Sequence, residues 1–153
     1  MKGNPQVESL LNGLLRQHLI AKDCYRKERA IFRQRGYRRL ADEIDAVKEV
    51  HDSAARKLLR RLLFLEFDPE IDHPFPNTTA DLRVFLQNGQ IFESQLVQQI
   101  SAAVSDTRGS GDEVSHHLLA KIAAKVEHNV QWFEIELKRL GDVGQELFLA
   151  HYF

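Results

Sequence analysis

Four long stretches of this chain carry apolar residues at alternating three- and four-residue spacing, and glycine- or proline-rich breaks part them. Such a period draws one apolar stripe along each helix, and the stripes lose contact with water only by packing on one another. An all-α bundle is the expected fold class. Asn4 followed by Pro5 reads as a helix cap with proline in the first turn, and the pattern then runs until Gly36 supplies a stop. This first helix is about 45 Å long at about 1.5 Å per residue.

The second stretch, from about Tyr37 to Glu66, carries Leu40, Ile44, Val47, Ala54, Leu58, Leu62 and Leu65. The turn at Gly36 is short, so the first two helices should form an antiparallel hairpin. Phe67 to Thr79 contains Pro69, Pro74 and Pro76, which a helix interior does not tolerate, and it is long for a turn. It is expected to be a crossover. Thr78 or Thr79 can cap the third helix, whose stripe reads Leu82, Phe85, Leu86, Glu93, Leu96, Ile100 and Val104, and Arg108-Gly109-Ser110-Gly111 ends it. Asp112 opens a fourth helix through Leu118, Leu119, Ile122, Val126, Phe133 and Leu137 to Gly141, and a short fifth segment, Gln145 to Tyr152, follows Gly144. Four long helices with two tight turns, one long crossover and a short fifth helix predict a ferritin-like four-helix bundle, because an up-down-up-down bundle would not need the crossover. At 153 residues, the whole of 1–153 is read as a single domain.

Composition excludes several classes. Hydrophobic residues make up 43% and charged residues 28%, with 8 Gly and 4 Pro, which is neither a disordered nor a turn-rich all-β composition. A formal net charge of −1 supplies no field that would draw the whole molecule onto nucleic acid or an anionic membrane, so neither is an expected partner. A lone cysteine, Cys24, cannot form an intrachain disulfide, and the N-terminus lacks the order of a secretory signal. No apolar run approaches the roughly 20 residues needed to cross a bilayer; the richest, Leu58 to Leu65, is broken by Arg60 and Arg61. A soluble, cytoplasmic protein is expected.

The stripes are not apolar throughout, although a buried polar group without a partner costs roughly 1–3 kcal/mol. The first helix carries Leu11, His18, Tyr25 and Phe32 at seven-residue steps. His51 lies between Val47 and Ala54, Glu93 between Leu86 and Ile100, and Asn129 between Val126 and Phe133. Each polar residue is near the middle of its helix, so antiparallel packing brings them to one level. Two imidazoles and a carboxylate are a recognised ligand set for iron. The competing reading is a closed hydrogen-bonded cluster in which Glu93 accepts from His18 or His51 and no metal is present.

The chain resembles the bacterioferritins. The resemblance rests on Met1-Lys2-Gly3, Leu11-Asn12, Tyr25, Gly36 with Arg39-Leu40, the run Arg61 to Glu66, and Trp132 with Glu134 and Glu136-Leu137, and it covers nearly the whole chain. It implies a hollow shell of twenty-four subunits storing ferric mineral, a di-iron centre in each subunit, and a haem held between subunit pairs by methionines. In that family the di-iron centre takes a Glu from the first helix, a Glu from the third, and a Glu-x-x-His motif from the second and fourth. The corresponding positions here are His18, Glu93, His51-Asp52-Ser53-Ala54 and Val126-Glu127-His128-Asn129, so only Glu93 keeps its family identity. Glu127 and His128 are displaced from the ligand stripe by about 100° or more of helix rotation and should point elsewhere. The resemblance places the haem-ligand position at Asp52, the only methionine is Met1, and Lys22, Arg26, Asp45 and Glu49 would border the haem pocket. The expectation is no di-iron centre and no haem unless a partner subunit ligates it. Ion pairs across the two-fold contact would take the haem's place.

The leading functional expectation is a structural subunit of an iron-storage shell, without ferroxidase activity of its own, assembled with homologous, ferroxidase-competent subunits. The alternative is a metal-binding, ferroxidase-like enzyme using a residual His18, His51 and Glu93 site, with Tyr25 and Asn129 supporting it. A DNA-protecting mini-ferritin is a third reading, against which stand the missing basic tail and the fifth segment. Tyr25 could donate an electron near a metal, but such a tyrosine more often buries its ring and hydrogen-bonds its hydroxyl. The arginines at 33, 35, 38 and 39 read as a solvated turn or subunit contact, Cys24 as a spectator thiol, and His116, His117 and His151 show no ligand spacing.

Overall fold

The computed structural model describes residues 2–74 and 81–153, and four helices order them: α1 (Pro5–Gln34), α2 (Arg38–Phe64), α3 (Leu82–Arg108) and α4 (Glu113–His151). The start of α1 follows the sequence reading, with Pro5 in its first turn and the Asn4 side chain accepting the Gln6 amide at 2.9 Å. Gly36, at φ 95°, makes the turn into α2, a left-handed conformation that glycine adopts without a Cβ clash. The second helix ends at Phe64 rather than Glu66, because Glu66 takes a left-handed φ of 61° and the Phe67 amide returns to the Leu62 carbonyl at 3.0 Å. That closure turns Leu65 and Phe67 into the core.

Residues 78 and 79, proposed as caps of the third helix, lie outside the described residues, as does Pro76. The observed cap is Asp81, whose side chain accepts the Val84 amide at 2.9 Å. Gly141 does not stop the fourth helix, since glycine in an exposed helix costs only about 1 kcal/mol. A non-helical break at Gly144 (φ 78°, ψ 165°) parts the body of α4 from its last turns, which run to His151 at the place where a short segment was expected after Gly144. Tyr152 pins these turns back, donating its hydroxyl to Glu136 Oε2 at 2.5 Å, while Arg139 Nη1 donates to Glu136 Oε1 at 3.1 Å.

Helix α1 packs along α2 and α3 along α4, with α1 against α3 and α2 against α4; the diagonal pairs meet only through long side chains at the centre of the bundle, as His51 of α2 meets Glu93 of α3. The core divides into two apolar blocks. One holds Leu11, Leu58, Leu62, Ile100 and Leu119, and the other Phe32, Leu40, Leu86, Phe133 and Phe148. The second helix ends beside the first block and α3 begins, at Leu82, beside the second. The chain between them must therefore return along the bundle, which explains the length of the crossover. Its first part is held by buried Asn12, whose Nδ2 donates to the Asp68 carbonyl at 3.2 Å and whose Oδ1 accepts the Glu70 amide at 2.9 Å.

A second polar tie joins α2 to the start of α4. Arg61 donates Nη2 to Asp112 Oδ1 at 2.7 Å and Nε to Ser115 Oγ at 2.9 Å, and that hydroxyl donates to Asp112 Oδ2 at 2.6 Å. Burial pushes the Asp112 carboxyl up, but the hydrogen bonds from Ser115 and Arg61 and the guanidinium charge outweigh it and hold the pKa below its ordinary value. A depressed folded-state pKa contributes stability above the unfolded value, and that contribution fades as pH falls through the folded one. Asp112→Asn should therefore lower the urea midpoint near neutrality. The gap from the parent should narrow in acid below the ordinary Asp pKa of about 3.9.

Candidate functional site

Between the two apolar blocks lies the polar layer. Each of the four helices contributes one member, because His18, His51, Glu93 and Asn129 all sit on core-facing stripes, and all are buried along with Tyr25. The structure thus brings together every site residue proposed from the sequence.

The contacts form a chain with His51 at its hub. His51 Nδ1 lies 2.9 Å from His18 Nδ1, and His51 Nε2 lies 2.6 Å from Glu93 Oε1. The same Glu93 oxygen accepts the Tyr25 hydroxyl at 2.8 Å and Asn129 Nδ2 at 3.2 Å. Asn129 Nδ2 also donates to the Val47 carbonyl at 3.2 Å, and two acceptors on one side of the amide fix its NH2 toward Glu93. Burial, with His51 beside it, holds the His18 pKa well below its ordinary value, so His18 is neutral. At the Nδ1–Nδ1 contact one imidazole must donate and the other accept, while His51 Nε2 donates to the Glu93 carboxylate and lies 3.3 Å from Asn129 Nδ2. His18 Nε2 and Glu93 Oε2 have no hydrogen-bond partner among the described residues. Burial above all, and then the Glu93 charge and hydrogen bond, raise the Tyr25 pKa well above that of a free phenol, so its hydroxyl remains a donor.

This donor set does not fit a pair of iron ions. Glu93 Oε1 is met by three N–H or O–H groups where a cation needs free lone pairs. Ala54 and Val126, at two of the positions where the resemblance implies ligands, are buried in the apolar block and offer no lone pair. The two ring nitrogens of His51 face opposite partners and cannot both address one ion. Among the described residues no group of three or more His, Cys, Asp or Glu side chains is placed to hold a metal ion. Glu127 and His128 are exposed, consistent with the rotation that separates them from the stripe.

Haem fares no better. The Asp52 carboxylate is engaged by Lys22 at 3.8 Å and Lys48 at 3.5 Å, and Asp45 by Arg29 at 3.3 Å and Lys48 at 3.6 Å. This charged lattice would have to be broken for an apolar macrocycle to lie on it. These four pairs all form within one chain. Nearby, burial and Glu28 push the Cys24 thiol up to about 11 against a smaller opposing effect of Lys27, which removes thiolate reactivity near neutral pH.

A model of the ferritin-like domain matches residues 8–142. The bacterial ferritin of Paramagnetospirillum magnetotacticum is 32% identical over 154 residues, covering 97% of this chain and 93% of that protein. The chain belongs to the bacterioferritins of the ferritin-like family. Among other bacterioferritins, the bacterial ferritin of Synechocystis sp. is 28% identical over 151 residues, spanning 97% of each chain. The solved structure of Mycobacterium tuberculosis bacterioferritin, BfrA, superposes with a TM-score of 0.94 at 25% identity, covering 99% of this chain and 96% of that one. Membership of the family supports iron storage as the function, and no helix among the described residues is long and apolar enough to cross a membrane.

Sequence reasoning missed two groups. The Glu136–Arg139–Tyr152 tie carried a usable signal, since Glu136 lies on the buried stripe of α4, four residues before Leu140. A group of lysines between α2 and α4, described below, is visible only once those helices are set side by side.

Proposed function

We propose that this chain, folded as one domain over 1–153, is a structural subunit of a multi-subunit iron-storage shell, expected to number twenty-four, and has no ferroxidase centre of its own. Iron is its cargo, stored as ferric mineral, and the oxidation is supplied by a ferroxidase-competent homologous subunit in the same shell. The observation that carries this reading is the saturation of Glu93 Oε1 by Tyr25, His51 and Asn129. One oxygen of the only carboxylate in the layer is committed to three hydrogen-bond donors, and the single oxygen left, Oε2, is too little to compensate two cations. Haem in such a shell would depend on ligands from the partner subunit. The single-metal alternative at His18, His51 and Glu93 would require the His51 ring to release one of its two hydrogen bonds, and nothing favours it.

The test is the rate at which the purified chain oxidises ferrous iron under oxygen, followed by the ferric absorbance after rapid mixing. The expected result is a rate indistinguishable from the protein-free reaction, rising when the chain is co-assembled with a ferroxidase-competent subunit. A fast, saturable phase in the chain alone would end the proposal.

A further inference from the structure

An open cleft of about 470 Å³ runs between α2 and α4. Its floor is apolar, with Ala54 and Ile122, while Lys57 from α2 and Lys121 and Lys125 from α4 line it. The only acid in the lining is Glu49, and that carboxylate is already taken by Arg56 Nη2 at 3.0 Å. None of the three lysines has an ion-pair partner among the described residues. The α1–α2 face behaves differently, since Lys22, Arg29 and Lys48 there all meet Asp45 or Asp52.

We propose that the α2–α4 cleft is a binding site for a small, multiply charged oxyanion of the phosphate class, held by Lys57, Lys121 and Lys125. Lys121 and Lys125 are one helical turn apart, where like charges repel, and Lys57 brings a third charge from the facing helix. The folded chain thus assembles uncompensated positive charge over a low-dielectric floor, an arrangement that focuses the field on the cleft. A dianion or trianion relieves the mutual repulsion more fully than a monovalent anion does. Lysine supplies rotatable donors at the end of a flexible stem, which suits a compact oxyanion approached from several sides. Ser53, one turn before Lys57, adds a hydroxyl to the same lining. This site stands independently of whether the chain oxidises iron.

The experiment titrates the mineral-free, full-length protein with inorganic phosphate at low ionic strength, by calorimetry and by phosphorus line broadening. Saturable binding is expected, weakened at least about tenfold in the Lys121→Gln/Lys125→Gln variant, weakened likewise in Lys57→Gln, and weakened steeply by added sodium chloride. Arg33→Gln/Arg38→Gln, which removes charge elsewhere, should leave it unchanged. All these side chains are exposed, so helical content should be retained in every variant. Absence of saturable phosphate binding, equal binding by parent and cleft variants, or binding of an oligonucleotide but not of phosphate would overturn the proposal.

Discussion

His51→Leu is expected to destabilise the protein by about 3 kcal/mol, because it removes a hydrogen bond to a buried carboxylate and leaves buried polar atoms without partners. Leucine fills the space, so the loss does not come from a cavity. It comes from Glu93, which keeps only Tyr25 and Asn129, and from His18, whose Nδ1 would join Nε2 as a buried nitrogen without a partner. Replacing the cluster as a unit removes that cost. With Tyr25→Phe, His18→Leu, His51→Leu and Glu93→Leu together, no buried acceptor is stranded and Asn129 keeps its bond to the Val47 carbonyl, so stability should return to about the parent's. Denaturation midpoints at one fixed protein concentration separate the two cases, and a single substitution as mild as the quadruple one would show that the layer is not a coupled network.

Gly89→Ala is the second large effect. A Cβ at position 89 would stand 2.2 Å from Cε1 and 2.3 Å from Cζ of Phe133, closer than any real contact. The ring has nowhere to retreat, because Phe133 is fully buried and packs on Tyr25, Phe85 and Trp132 with centroids 5.9, 5.6 and 4.9 Å away. Overpacking of this kind costs up to about 3 kcal/mol. Alanine recovers about 1 kcal/mol in helix propensity, which leaves a net loss near 2 kcal/mol. Trimming the neighbour should rescue it: Phe133→Leu alone destabilises, but the double variant should lose clearly less than the two single losses added. Additive losses would mean that the clash is relieved by some other movement.

How much of this was legible beforehand depends on which physical scale sets each feature. Periodicity alone identified the helices and the level at which His18, His51, Glu93 and Asn129 meet, because seven-residue steps determine which side of a helix faces the core. It could not say that His51 is the hub or that Asn129 turns its NH2 to Glu93, since those follow from distances between helices remote in sequence. Helix ends were read less well. Glu66 and Asp81 close and open their helices through local backbone geometry and side-chain capping, which the apolar period does not record. Gly141 looked like a stop because glycine often is one, yet the left-handed break falls at Gly144. The charges around Asp52 were recognised as hostile to haem, but their pairing within the chain depended on the register of α1 against α2. Gly89 drew no notice, as its need for a bare Cα arises entirely from Phe133 on another helix.

The most direct test is to soak crystals of the chain in ferrous salt without oxygen and record anomalous scattering at the iron edge. The account predicts no pair of iron peaks among His18, His51 and Glu93, with the imidazoles still bonded to each other and to the carboxylate. Two bridged iron peaks in that layer would contradict it.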